Sequence, residues 1–353
     1  MRRVWAKDAQ VGQILARPVA NERGVAVVQQ GVKLTQNVID WLQENGIQRI
    51  FVDDPRYVGI DSREALDPVT HSQLEGFLRR LVTAVQESDR VDLSTWLRDL
   101  VYWARTICDE LEAGPPSFLY YPNVGEAIHR WMAHSLNVAL LAARTLLRIG
   151  GRDQARHMVI AAFLKDLGLW KMGEDVVEAA YITGDVATPA YGDKVLLSQQ
   201  IANTITGLSP FVKTIVAQHL ERCDGSGKPK GLLARDIHPL AKVMAVVDAY
   251  AAAVHREVDP LLPHDALEWL MSGVGFEFDH TAVKAFRNAV HPYPVGIEVE
   301  LNTGERGVVT GVRGPLASRP CVRILWDAEG REVDPYYEID LAEQTTKAIS
   351  RIV

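Results

Sequence analysis

Cysteine is scarce in this chain and never paired: Cys108, Cys223 and Cys321 lie far apart, and no Cys-x-x-Cys occurs. An odd, dispersed set excludes a disulfide framework and a zinc knuckle, and it fits a reducing compartment. Long apolar runs are missing too. Stretches such as Val138 to Ala143 fall far short of a bilayer span, and Met1 to Asp8 lack the apolar core of a secretion signal. No basic block is present; acids and bases are interspersed, and the formal net charge is -7. A nucleic-acid footprint is therefore not expected. The expectation is a cytoplasmic protein without membrane or nucleic-acid partners. What is present is ordinary for a globular chain: 353 residues, 47% hydrophobic and 24% charged, enough for two or three domains.

Changes of texture divide the chain into four parts. Residues 1–60 read as a small α/β module: the run Val25-Ala26-Val27-Val28, a pattern of Val38, Ile39, Trp41 and Leu42 capped by Thr35, and a closing strand Ile50-Phe51-Val52. Residues 61–116 form a helical linker, with Leu74, Phe77, Leu78, Leu81 and Val82, then Trp96, Leu97, Leu100 and Val101, at helical spacing before the break at Gly114-Pro115-Pro116. Residues 117–291 read as almost all helix. Ser209-Pro210 and His238-Pro239 open two helices, and Asp279 caps the last. Residues 292–353 return to short β-type runs, Val295 to Leu301, Gly307 to Val312 and Cys321 to Trp326, as a small β-barrel-like extension. The predicted class is mainly α, with a small module at each end.

The stretch His219-Leu220-Glu221-Arg222-Cys223-Asp224-Gly225-Ser226-Gly227-Lys228-Pro229 reads as a metal-site helix end followed by a glycine loop, with leucine where a ligand is expected. Imidazole and carboxylate bind first-row metals; a leucine side chain binds none. Four further segments share the helical part: His134-Ser135-Leu136-Asn137, Phe163-Leu164-Lys165-Asp166-Leu167-Gly168, Thr188-Pro189-Ala190-Tyr191-Gly192 and Val246-Val247-Asp248-Ala249-Tyr250. Together, in this order, they resemble the HD-GYP family, the bacterial subset of HD phosphohydrolases that hydrolyses cyclic di-GMP. The resemblance implies an all-helical HD-type domain over residues 117–291. The two ends resemble the module that often precedes this domain and the β extension that often follows it.

Carried over by position, the resemblance gives His134 as the first metal histidine, Asp166 as the aspartate of the HD pair, His219 as the first histidine of His-His-Glu and Asp248 as the distal aspartate. The other positions depart from it. Lys165 stands for the HD histidine, Thr188 for the histidine of His-Pro, Leu220 for the second histidine of His-His-Glu, and Arg130 for a glutamate ligand of some members. Leu169 and Ala251 replace a lysine and an aspartate, Gly227-Lys228-Pro229 stands for the GYP triplet, and Glu257 takes the counted place of an arginine that Arg256 misses by one.

Phosphodiester hydrolysis at neutral pH needs a metal-bound hydroxide. A lysine ammonium has three donors and no lone pair for a metal. Lys165 and Arg130 are therefore expected to satisfy Asp166 and Asp248 electrostatically, with no metal cofactor. A second reading keeps one divalent ion, of iron, manganese or zinc, on His134, Asp166, His219 and Asp248. Arg222, Asp224, Gly225, Gly227, Lys228 and Pro229 make a candidate ligand or partner loop, for cyclic di-GMP or for GGDEF-type or other signalling proteins, although glycine loops after helices are usually plain turns. The function expected is a catalytically degenerate relative acting by protein contact or nucleotide binding; the alternative is residual mono-metal hydrolysis. The pattern over 70–112 also allows helices to pair between chains in a homodimer. His157, His238, His255 and His291 read as hydrogen-bonded core histidines. The literal dipeptide His264-Asp265 follows Pro263 in a first helical turn and reads as structural.

Overall fold

The computed structural model describes residues 1–21, 25–45, 47, 49–62, 64–87, 93–114, 126–183, 190–256, 258–313 and 316–353. Thr188, Glu257 and the Pro115-Pro116 break lie outside these residues. The chain divides into two compact units, one including Met1–Gly76 and His291–Val353, the other Phe77–Gly114 and the helices up to Val290.

In the first unit, β1 (Arg2–Trp5), β2 (Val19–Ala20), β3 (Ala26–Val28), α1 (Gln36–Glu44) and β4 (Arg49–Val52) form the N-terminal part. β1 pairs antiparallel with β4, and β2 with β3. The Thr35 hydroxyl accepts the Val38 N–H at 3.4 Å and starts α1, which lays Ile39 and Leu42 onto Leu15, Leu34, Ile50 and Val52. The C-terminal part is an antiparallel sheet of β5 (Glu298–Leu301), β6 (Arg306–Gly311), β7 (Cys321–Trp326), β8 (Glu332–Asp340) and β9 (Ile349–Ile352), in the order β8-β7-β6-β5-β9. Sequence pattern marks the first three of these strands. β8 escapes it because it is an edge strand, mostly exposed, with Pro335 inside and no alternation to read. Residues 1–60 and 292–353 read as separate modules in sequence, yet Ala16 and Phe51 share one core with Tyr293, Val299, Val309 and Ile324. Glu298 ties the two parts further, accepting from Arg2 Nε at 2.6 Å and from the Tyr57 hydroxyl at 2.5 Å.

The second unit is helical, from the later turns of α2 (Pro68–Gln86) through α3 (Leu97–Ala113), α4 (Ala127–Arg148), α5 (Arg152–Leu164), α6 (Leu169–Met172), α7 (Glu174–Thr183), α8 (Ala190–Thr204), α9 (Pro210–Gln218), α10 (Pro239–His255), α11 (Pro263–Ser272) and α12 (His280–Ala289). The overall class is mainly α. Proline in the first turn opens α9, α10 and α11, where a missing N–H costs nothing. His238 Nδ1 accepts the Leu240 N–H at 3.2 Å, and Asp279 accepts from Thr281 and Ala282 at 2.9 and 3.1 Å. α4 is buried almost all round from Trp131 to Ala143 and packs against α5, α10 and α12. A helix with that burial cannot be read as a simple amphipath. No described helix is long and apolar enough to cross a membrane.

Candidate metal-site cluster

α5 ends at Leu164, and the chain turns through Lys165, Asp166, Leu167 and Gly168 before α6. Gly168 is what lets a neighbour close on this turn. A Cβ there would sit 2.2 Å from the Lys194 carbonyl oxygen, so only a bare Cα admits the α8 backbone so near. The Gly168 N–H donates to Ser198 Oγ at 2.8 Å, which fixes α8 in place. Lys194, one turn before Ser198, is thereby delivered to the turn. α4 supplies His134, α10 supplies Asp248, and His219 follows directly on α9. Six side chains meet, all buried: Lys165 and His219 are 0% exposed, Asp166 1%, His134 and Lys194 4%, and Asp248 8%.

Two carboxylates face two ammonium groups. Lys165 Nζ pairs with Asp166 Oδ2 and lies 2.7 Å from Asp248 Oδ1. Lys194 Nζ donates to Asp166 Oδ1 at 2.6 Å. His134 Nε2 donates to Asp248 Oδ1 at 2.9 Å and lies 3.4 Å from Lys165 Nζ. His219 Nδ1 donates to the Val216 carbonyl at 2.9 Å. That bond leaves the lone pair on His219 Nε2, which is buried, 3.8 Å from Asp166 Oδ1 and without a hydrogen-bond partner among the described residues.

Burial alone would push the Asp166 carboxyl up, but Lys165 and Lys194 outweigh it and hold the group below the usual carboxylate range. Burial opposes the Asp248 charge in the same way, and Lys165 and His134 again prevail. Burial, then the Lys165 charge, lowers His134. Burial, then Lys165 and Lys194, lowers His219 to about 4. Both imidazoles are thus neutral at pH 7, and the cluster carries two negative and two positive charges.

The donor chemistry fits one metal ion in part. Ligand atoms of His134, Asp166 and Asp248 lie within 4.8 Å of one another, a spacing that can hold an ion, and the orphaned His219 Nε2 adds a fourth donor nearby. The charges fit it poorly. Both Asp166 oxygens already carry ammonium groups, and His134 Nε2 is turned to Asp248 as a donor. Three of the other substituted positions are closed by apolar packing. Leu220 sits in a cluster with Val195 and Ala180, and Leu169 and Ala251 are core residues.

The sequence reading assigned the charge replacement to Lys165 and Arg130. Lys165 is in the cluster. Arg130 is partly buried on α4, one turn before His134, and is not among the groups acting most strongly on either carboxylate. The second ammonium is Lys194, which carries no motif to betray it.

The glycine loop packs back on its own helix end. A Cβ on Gly227 would lie 2.1 Å from the Arg222 nitrogen, and Gly225 takes a left-handed φ of 84° that favours glycine. The buried Glu221 carboxylate accepts from the Lys230 and Leu232 N–H groups, each at 2.8 Å, and anchors the loop; sequence reasoning gave it no role. Asp224 Oδ1 accepts from the Ser226 N–H and hydroxyl at 2.9 and 2.7 Å, closing its own turn. Arg222 points inward, its guanidinium 5.2 Å from the Phe278 ring centroid and 4.0 Å from Glu277. Lys228 and Pro229 are half-buried, and Lys230 is exposed.

Residues 128–281 match the family described as HD domain, and residues 298–353 match the KOW domain associated with HD domain. Residues 128–281 are thus an HD domain, and the motif order above together with the relatives below supports the HD-GYP family. It is 28% identical over 261 residues to Cyclic di-GMP phosphodiesterase PA4108 of Pseudomonas aeruginosa, across 70% of this chain and 61% of that protein. It is 34% identical over 91 residues to a Probable cyclic di-GMP phosphodiesterase of Vibrio cholerae, across 25% of this chain and 21% of that protein. The match thus spans less than two thirds of either relative. Among solved structures it is similar to Bd1817, a HDG"Y"P protein from Bdellovibrio bacteriovorus, at 14% identity and a TM-score of 0.47, covering 80% of this chain and 97% of that one.

Proposed function

We propose that this protein works in bacterial cyclic di-GMP signalling as a degenerate HD-GYP protein, by protein contact or nucleotide binding rather than by hydrolysis. The nucleotide comes from the relatives, both named as cyclic di-GMP phosphodiesterases. The loss of hydrolysis rests on one observation: the Lys165 ammonium bridges Asp166 and Asp248. Two unit charges 4 Å apart interact by roughly 4 kcal/mol at an effective dielectric of about 20, so a divalent ion beside one ammonium meets roughly 8 kcal/mol of repulsion. That sum removes most of what a good metal site gains, about 10–16 kcal/mol for structural zinc in small peptides. Without a metal-bound hydroxide the six residues of the cluster would not supply the attacking group that phosphodiester hydrolysis needs. Protein contact is favoured over nucleotide binding because Arg222 is turned onto Phe278 and Glu277 rather than outward to a phosphate.

A second reading has its own support. The spacing of His134, Asp166 and Asp248, with the free lone pair of His219, suits a single divalent ion if Lys165 swings away. In that case the residues would hold the ion and orient a phosphate, and the ion would supply Lewis acidity. Metal analysis with a cyclic di-GMP turnover assay separates the two. Absence of turnover supports the proposal; turnover that follows bound metal contradicts it. Calorimetric titration with cyclic di-GMP then divides nucleotide binding from protein contact, which gives no heat with nucleotide alone.

A further inference from the structure

We infer that Lys194 and Lys165 together form an internal dication, which supplies to Asp166 and Asp248 the charge of one divalent ion and keeps such an ion out while either is present. The inference deepens the proposed function and rests on it in one respect, that no divalent ion resides in the cluster. Its ground is a division of labour between two lysines. Lys194 Nζ takes Asp166 Oδ1 at 2.6 Å, while Lys165 Nζ takes Asp166 Oδ2 and Asp248 Oδ1. Each Asp166 oxygen therefore serves a different ammonium. A buried carboxylate needs a counter-charge, and two of them need two. The cluster meets that need from its own side chains.

Lys194 is placed by dedicated packing. Gly168 has no Cβ, the Gly168 N–H is bonded to Ser198, and Val195, the next residue, packs on Leu220. The leucine that replaces a histidine thus packs on the α8 residue next to the lysine that replaces a metal charge. One consequence is specific. Restoring the imidazoles at 165, 188 and 220 leaves Lys194 on Asp166, so one carboxylate of the restored set still carries an ammonium.

Uptake of Mn²⁺ by equilibrium dialysis tests this in four full-length chains: wild type, K165H/T188H/L220H, that triple with K194M, and K194M alone. The expected result is stoichiometric uptake by the quadruple variant and substoichiometric uptake by the other three. Equal uptake by the triple and quadruple variants, or none by the quadruple, overturns the inference. A thermal cycle needs no metal. K194M is expected to lower the Tm by on the order of 10 °C, because it leaves one buried carboxylate without its counter-charge. Adding D166N should recover most of the loss, since Lys165 and Asp248 then balance alone. An unchanged Tm in K194M, or no recovery in K194M/D166N, also overturns it. Wild-type turnover of cyclic di-GMP would defeat the proposed function; the Lys194–Asp166 coupling is read without nucleotide, so the two failures are distinguishable.

Discussion

Lys165–Asp166, at the HD position of the helical domain, and His264–Asp265, the literal HD dipeptide, behave as opposites. His264–Asp265 has the right letters. Its side chains lie 3.3 Å apart in the first turn of α11, 29% and 49% exposed, with water to solvate both. Lys165–Asp166 has one wrong letter, yet it stands at the meeting point of α4, α5, α8, α9 and α10, with both side chains buried. Burial decides what the residue must be. An exposed Asp is indifferent to its neighbour, whereas a buried one demands positive charge nearby.

The sharpest way to break this comparison is to remove the charge at each place. Lys165→Met should destabilise the fold by about 3–5 kcal/mol, because it strands buried carboxylates. His264→Met should stay within about 0.5 kcal/mol, as surface changes do. Chemical unfolding of the two variants beside the wild type reads the difference, and equal losses would erase it.

Acid gives the next largest effect. His219 is neutral in the folded chain down to about pH 4, while an unfolded histidine titrates at 6.5. The unfolded state thus binds the proton first, and stability present above pH 6.5 is lost as pH falls to about 4. The loss is roughly 3 kcal/mol from this group alone. The depressed Asp166 and Asp248 carboxyls add to it only at still lower pH, below their ordinary value of 3.8. Unfolding midpoints measured from pH 8 to pH 4 check the sign, and His219→Gln should flatten the upper part of that slope.

A smaller effect tests the packing that delivers Lys194. Gly168→Ala puts a Cβ 2.2 Å from the Lys194 carbonyl oxygen. The backbone at Gly168 is helical, so strain in φ is not the issue. Overpacking of this kind costs about 1–3 kcal/mol, and a melt monitored by circular dichroism reads it. If Gly168→Ala is neutral, α8 is not held as closely as the cluster requires.

Much of this was legible in the sequence, where local chemistry punctuates the chain. Thr35, Pro210, Pro239, Pro263 and Asp279 mark helix starts by capping or by a fixed φ, and the helices begin there. His134, Asp166, His219 and Asp248 were found through the order of their segments, and the fold brings all four together. Lys194 was not legible. Its role depends on an absent Cβ at Gly168, 26 positions away by the numbering, and on Ser198, neither of which marks a charged site in one dimension. Arg130 shows the converse limit: helical spacing puts it one turn from His134, but spacing does not say which carboxylate a long side chain reaches. β8 was hidden because an exposed edge strand has no buried face to impose alternation.

The central claim is that ammonium groups hold the place of a metal. Metal content of the full chain, purified without chelator and dialysed against excess Mn²⁺, Fe²⁺ or Zn²⁺ and then against metal-free buffer, tests it most directly. The account predicts substoichiometric metal in every case. One ion retained per chain, lost on Asp166→Asn or Asp248→Asn, would contradict it.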